Sequence, residues 1–229
     1  EDIPDGGQLR RAAAVFDRAP EKLACLQASL VIDNGGLNWM TRLFALEYAA
    51  LFDVHNKGLA ALGLPLFLGG TSNHFRVSAL RDIGLRLMRA GYALSTFDSH
   101  TYEEAPAKFR ALVKQRTRWL KGWMQTALVH CSHPLRLVDD LGPRRAAAVL
   151  AMFIGNVLGP LLGPFLTARL AYDALFGSLF APENLLEAAY VGLWCVVALS
   201  GAGALILPLW LGAPKRGFSR RALVFLPFW

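Results

Sequence analysis

Gln115, Arg118 and Trp119 stand at i, i+3 and i+4, a spacing that places three side chains on one face of an α-helix. The chemistry available to such a face is specific. A guanidinium holds a diphosphate through planar, charge-assisted hydrogen bonds. An amide orients hydroxyls or phosphates, and an indole offers a flat apolar surface to a sugar ring with an N–H at its edge. Trp123, four residues further on, extends the aromatic stripe. The spacing leaves two readings open: a site for a phosphorylated sugar compound, or an amphipathic helix at a membrane interface, where Trp and Arg are both common.

Other polar residues are candidates of lower specificity. Glu1-Asp2-Ile3-Pro4-Asp5 is an acidic cluster. Carboxylates of this kind bind hard divalent cations through oxygen, and a metal on phosphate oxygens neutralises charge on a leaving nucleotide; the cluster reads equally as a solvated loop. Gly69-Gly70-Thr71-Ser72-Asn73-His74 is a glycine and polar turn suited to close backbone approach to a ligand. Asp98, Glu103 and Glu104 flank the start of a predicted long helix, where acids favour the helix dipole. His74 and His100 lie in the same loops and read as hydrogen-bonded structural residues before catalysts.

The elements that must position these residues follow from apolar patterning. Leu23–Ile32 and Tyr92–Phe97 read as strands. Trp39–Phe52 has helical spacing, Val77–Ala90 reads as a helix ended by Gly91, and a long helix runs from near Pro106 to about His130. Strands alternating with helices predict an α/β fold.

Composition divides the chain. Of its 229 residues, 54% are apolar and 18% charged, which excludes disorder. Residues 144–229 hold only seven Lys/Arg and three Asp/Glu, against 17 and 14 in residues 1–143. Two stretches, 146–168 and 188–214, contain no charge over 23 and 27 residues; a spanning helix needs about 20. Gly155, Gly159, Pro160, Gly163 and Pro164 predict a kink or re-entrant bend in the first stretch, near Pro160. A third apolar segment opens near residue 222. Arg144 and Arg145 precede the first stretch, and Lys215, Arg216, Arg220 and Arg221 follow the second. The loop between them carries Asp173, Glu183 and Glu187, with Arg169 as a snorkelling exception. The positive-inside rule then places both outer flanks in the cytoplasm. The basic balance, +7 overall, is thus read as membrane-directed, with no nucleic acid as partner. Cys25, Cys131 and Cys195 have no zinc or disulfide spacing and read as reduced thiols. Both ends read as internal to a longer chain.

At the level of motifs the sequence resembles membrane-embedded bacterial family 2 glycosyltransferases of the cellulose-synthase-like group. Gln115-x-x-Arg118-Trp119 resembles the group's Q-x-x-R-W motif. Glu1-Asp2-Ile3-Pro4-Asp5 resembles the end of its D-A-E-D-x-P segment. Leu68–Arg76 is similar to a G-G-T-S-N-H-F-R segment of one bacterial branch, as are Thr101–Pro106 and Trp119–Thr126 in theirs.

The resemblance implies an inverting GT-A transferase domain over residues 1–143, followed by a helical transmembrane region over 144–229, in a multi-pass protein of the bacterial inner membrane with its catalytic part cytoplasmic. It implies transfer of a sugar from a nucleotide-sugar donor, UDP-glucose by default, to a growing polysaccharide. The donor diphosphate would meet Gln115 and Arg118. The acceptor would meet Trp119 and residues Gly69, Gly70, Thr71, Ser72, Asn73 and His74. A divalent metal, Mg or Mn, would sit by Glu1 and Asp2. One departure stands out. The family's T-E-D segment, whose Asp is the general base, is missing between Ala79 and Leu87, and Asp82 is a poor substitute for it. A non-catalytic scaffold or glycan-binding relative is therefore the alternative.

Overall fold

The computed structural model describes residues 2–66, 68–76, 85–176 and 184–220. Glu1, Asp82, most of the expected Val77–Ala90 helix and the segment near residue 222 lie outside the described residues.

A four-stranded sheet organises the first part of the chain in the order β1-β4-β2-β3. Its members are β1 (Ile3–Pro4), β2 (Leu23–Ile32), β3 (Asn73–Phe75) and β4 (Ala93–Glu103). The central pair, β2 and β4, is parallel, and β1 and β3 flank it antiparallel. Nine of the ten β2 residues are buried, as a strand covered on both faces requires. β2 accordingly reads as an apolar run interrupted only by Gln27 and Ser29, which are buried as well. β4 is longer than Tyr92–Phe97. It continues through Asp98, Ser99 and His100 because β1 and the following helix α1 (Gln8–Arg18) satisfy those polar residues. Gln8, itself buried, donates to Ser99 Oγ at 3.2 Å, His100 O at 3.0 Å and Thr101 Oγ1 at 3.0 Å.

The helix α2 (Trp39–Tyr48) is started by an Asn38 capping box, which satisfies two backbone donors reciprocally. It widens into a π-helical segment, Ala49–His55, and continues as α3 (Asn56–Ala61). Among the described residues α4 covers Leu85–Arg89, and Gly91 (φ +83°) ends it in the left-handed region that Gly tolerates. The long helix α5 spans Phe109–Cys131, three residues later than Pro106 predicts. Asn34 pairs with Ala105 through both backbone groups (2.9 and 2.8 Å), and Asn38 donates to Ala107 O. These bonds hold the Pro106 segment extended.

The rest is helical: α6 (Pro134–Leu141), α7 (Pro143–Phe153), a π-helical segment (Ile154–Leu158), α8 (Gly159–Phe176), α9 (Leu185–Gly212) and a 3-10 turn (Ala213–Arg216). In the stretch where a bend near Pro160 is expected, a π-helical segment precedes Gly159 and α8 runs on through Pro160 and Pro164. Arg169 pairs with Asp173 one turn along. The side chains of residues 193–202 lie outside the description, and among the described residues no helix is long and apolar enough to cross a membrane. Val149 and Phe153 of α7 share a core with Ala24 and Cys25 of β2. Leu209 and Ala213 pack with Leu43, Leu46 and Ala50. The packed core therefore extends across residue 143. Cys25 is buried, and burial pushes its thiol up to about 12.

Candidate active site

Helix α5 presents Gln115, Arg118, Trp119, Gly122, Trp123 and Thr126 to a cavity of about 640 Å³. Their spacing traces one helical stripe. The opposite walls come from Glu47, Tyr48 and Phe52 around the end of α2, from Gly69 and Gly70, from Glu103 at the end of β4, and from Val149 and Phe153 of α7.

The α5 residues have distinct states. Gln115 Oε1 is buried without a hydrogen-bond partner among the described residues. A buried acceptor of this kind needs a partner that the described residues do not supply. Arg118 is exposed and makes no ion pair among the described residues. Trp119 is 37% exposed. Its ring lies 6.1 Å from that of Phe44, and the Arg116 guanidinium sits 5.0 Å over it. Arg116 in turn grips both carboxylate oxygens of Glu47, one of them at 2.8 Å. The indole is thus clamped with part of its surface left open.

The glycine turn is a tied loop. Gln27 reaches across from β2, accepting from Gly69 N at 2.7 Å and donating to Thr71 O at 3.2 Å. Asn73 Nδ2 donates to Gly69 O at 2.6 Å. A Cβ on Gly69 would stand 3.0 Å from Leu30 Cδ1, a tight contact that Leu30 would have to shift to relieve. Of the residues expected on the acceptor side, Gly69 and Gly70 line the cavity, and Thr71 donates to Glu103 Oε1 at 3.0 Å. The other three are not in the cavity lining, and Asn73 Oδ1 is buried with no partner among the described residues. Ser72 (φ +60°) donates to Thr101, Asn73 pairs within the loop, and His74 meets Gln8 Oε1 at 3.2 Å and the edge of Phe97. Burial pushes the His74 imidazole below its ordinary value.

The acidic residues separate in the same way. Asp5 accepts from His100 N (3.1 Å), Ser99 Oγ and Arg11. The His100 amide first, then the Ser99 hydroxyl and the Arg11 charge, hold it below the usual carboxylate value. It ties β1 to β4. Asp98 is a surface residue near Lys57. Asp2 is exposed, and its charge reaches Glu103, as the β1–β4 register Ile3↔Tyr102 implies. Among the described residues no three His, Cys, Asp or Glu side chains gather to hold a metal ion. Glu1 lies outside the described residues, so the expected pairing of Glu1 with Asp2 around a metal is not described.

Glu47 is a cavity residue that the sequence analysis does not single out, and Glu103 is one that it places at a helix start. Glu103 does not start a helix; it ends β4, half-buried, opposite Ile32. Burial raises its carboxyl, while the hydroxyls of Thr71 and Tyr48 pull the other way. Its signal in the sequence is the strand alternation through Thr101, which the polar Asp98–His100 stretch disguises.

No curated protein matches the chain significantly. The family model described as "Glycosyl transferase family group 2" matches residues 1–226, nearly the whole sequence. With a matching α/β fold and a cavity walled by an amide, a guanidinium and an indole, the chain belongs to glycosyl transferase family group 2.

Proposed function

We propose that this transferase moves a sugar, glucose from UDP-glucose as the first candidate, onto a growing polysaccharide at the bacterial inner membrane. One observation carries the reading: a single stripe of α5 brings Gln115, the exposed Arg118 and the part-exposed Trp119 indole to one cavity. Arg118 holds the donor diphosphate, which needs a planar cation. Gln115 lies one turn before Arg118 on the same face and orients the donor diphosphate beside it. Trp119 stacks on the acceptor sugar, with Gly69 and Gly70 closing the cavity opposite.

The membrane location and the cellulose-synthase-like grouping rest on the sequence. The uncharged stretches at 146–168 and 188–214 match the length of a bilayer crossing. Exposed Phe165, Leu175, Phe176, Leu185 and Leu186 on α8 and α9 are the side chains that lipid would cover.

The test is transfer of radiolabelled sugar by carbonate-washed membranes holding the full chain. Activity is expected to stay with the membranes. Arg118→Ala is expected to abolish it, and Trp119→Ala to impair acceptor transfer more than donor hydrolysis. Wild-type turnover by Arg118→Ala refutes the assignment. Donor binding without any transfer supports a non-catalytic scaffold instead.

A further inference from the structure

Transfer of a sugar to a hydroxyl leaves a proton to place. The acceptor oxygen bonds to the sugar's C1, and the bond from C1 to the diphosphate oxygen breaks. Its electron pair leaves with the nucleotide, and the hydroxyl proton requires a base. Among the described residues lining the cavity, the carboxyls are Glu47 and Glu103. Glu47 is committed: Arg116 holds both of its oxygens. Glu103 is held by neutral groups, the Thr71 hydroxyl at 3.0 Å and the Tyr48 phenol. Two neutral donors orient a carboxylate without cancelling its charge, and lone pairs remain for a third donor. Thr71 also belongs to the loop that brings Gly69 and Gly70 to the cavity, so the carboxyl is registered against the same wall.

We propose that Glu103 takes the proton of the acceptor hydroxyl in this chain, with Thr71 and Tyr48 as its positioning residues. The proposal rests on the transferase reading of the cavity. The charged and titratable groups around Glu103 are Asp2 ahead of β1, Tyr48 and Glu47 on α2, and Arg118 across the cavity. Burial raises the Glu103 carboxyl, which makes the ionised form a better proton acceptor at neutral pH.

The experiment uses the full chain in membranes, with radiolabelled nucleotide hexoses, UDP-glucose first, and UDP binding measured in parallel. Glu103→Gln is expected to lower kcat by about 10²–10⁴-fold with UDP affinity kept. Added formate is expected to restore part of the transfer in Glu103→Ala. Thr71→Val removes a donor that holds the carboxyl down, so the acidic limb of the pH–rate profile moves to higher pH. A kcat within threefold of wild type in Glu103→Gln overturns the proposal, as does an unmoved acidic limb in Thr71→Val should the Gln variant not fold. If Glu103→Gln is active and Arg118→Ala is dead, only this proposal falls. If both are active, the reading of the site falls with it.

Discussion

Arg116 and Arg118 sit two positions apart on α5, and an α-helix turns by about 200° between them. Arg118 therefore faces the cavity, while Arg116 spans from the Glu47 carboxylate to the faces of Trp119 and Phe44. The second task uses what distinguishes Arg from Lys: a planar fork that meets a carboxylate bidentately and stacks on rings. Arg116→Lys keeps the charge and loses both contacts. It is expected to raise the acceptor KM about tenfold with a smaller change in kcat, and to shift the tryptophan emission. An unchanged KM would show that Trp119 holds its place without the clamp. The motif's spacing made Gln115, Arg118 and Trp119 visible in the sequence. It said nothing of Arg116, whose partner lies 69 residues away on α2.

What was legible at the scale of elements depended on whether neighbours in sequence decide the outcome. β2 is legible residue for residue because its burial leaves a run in which only Gln27 and Ser29 are polar. β4 and the start of α5 were misread because distant side chains decide them: Gln8 and Asp5 complete β4 through His100, and Asn34 holds Ala105 extended. Glu103 was assigned to the wrong element for that reason. The π-helical segment Ala49–His55 had no sequence signal at all. It is where α9 docks: a Cβ on Gly212 would stand 2.9 Å from the backbone C of Ala49 and N of Ala50. Backbone does not yield as a flexible side chain does. Gly212→Val is therefore expected to cost about 1–3 kcal/mol by overpacking, read as a lower melting temperature of the detergent-solubilised chain. A variant as stable as wild type would mean that the two helices slide apart freely.

Across the whole molecule the firmest long-range link is charged. Arg216 donates to Asp53 Oδ2 at 2.5 Å and to Leu30 O at 2.6 Å, and Lys215 donates to Asp53 O at 2.9 Å. The Arg216 and Asp53 side chains are only 8% and 7% exposed. Counting Lys215 and Arg216 as free cytoplasmic charges, as the positive-inside argument does, misses that both bind the α/β part. Removing one partner of a buried pair strands the other. Asp53→Ala is expected to cost about 3–5 kcal/mol, and Asp53→Ala with Arg216→Met to recover most of the loss. A double variant no better than the single would assign the effect to Asp53 packing alone. The link also sets a clock. Arg216 lies 163 residues beyond Asp53, and at roughly 5–20 residues per second the ribosome needs on the order of ten to thirty seconds to bridge that interval. Through that delay Asp53 stands without its guanidinium partner and the Leu30 carbonyl without the donor it accepts from. The nascent sheet must wait for both apolar stretches to be made before this bond can close, so the order of synthesis makes the last turn of the described chain the one that anchors β2.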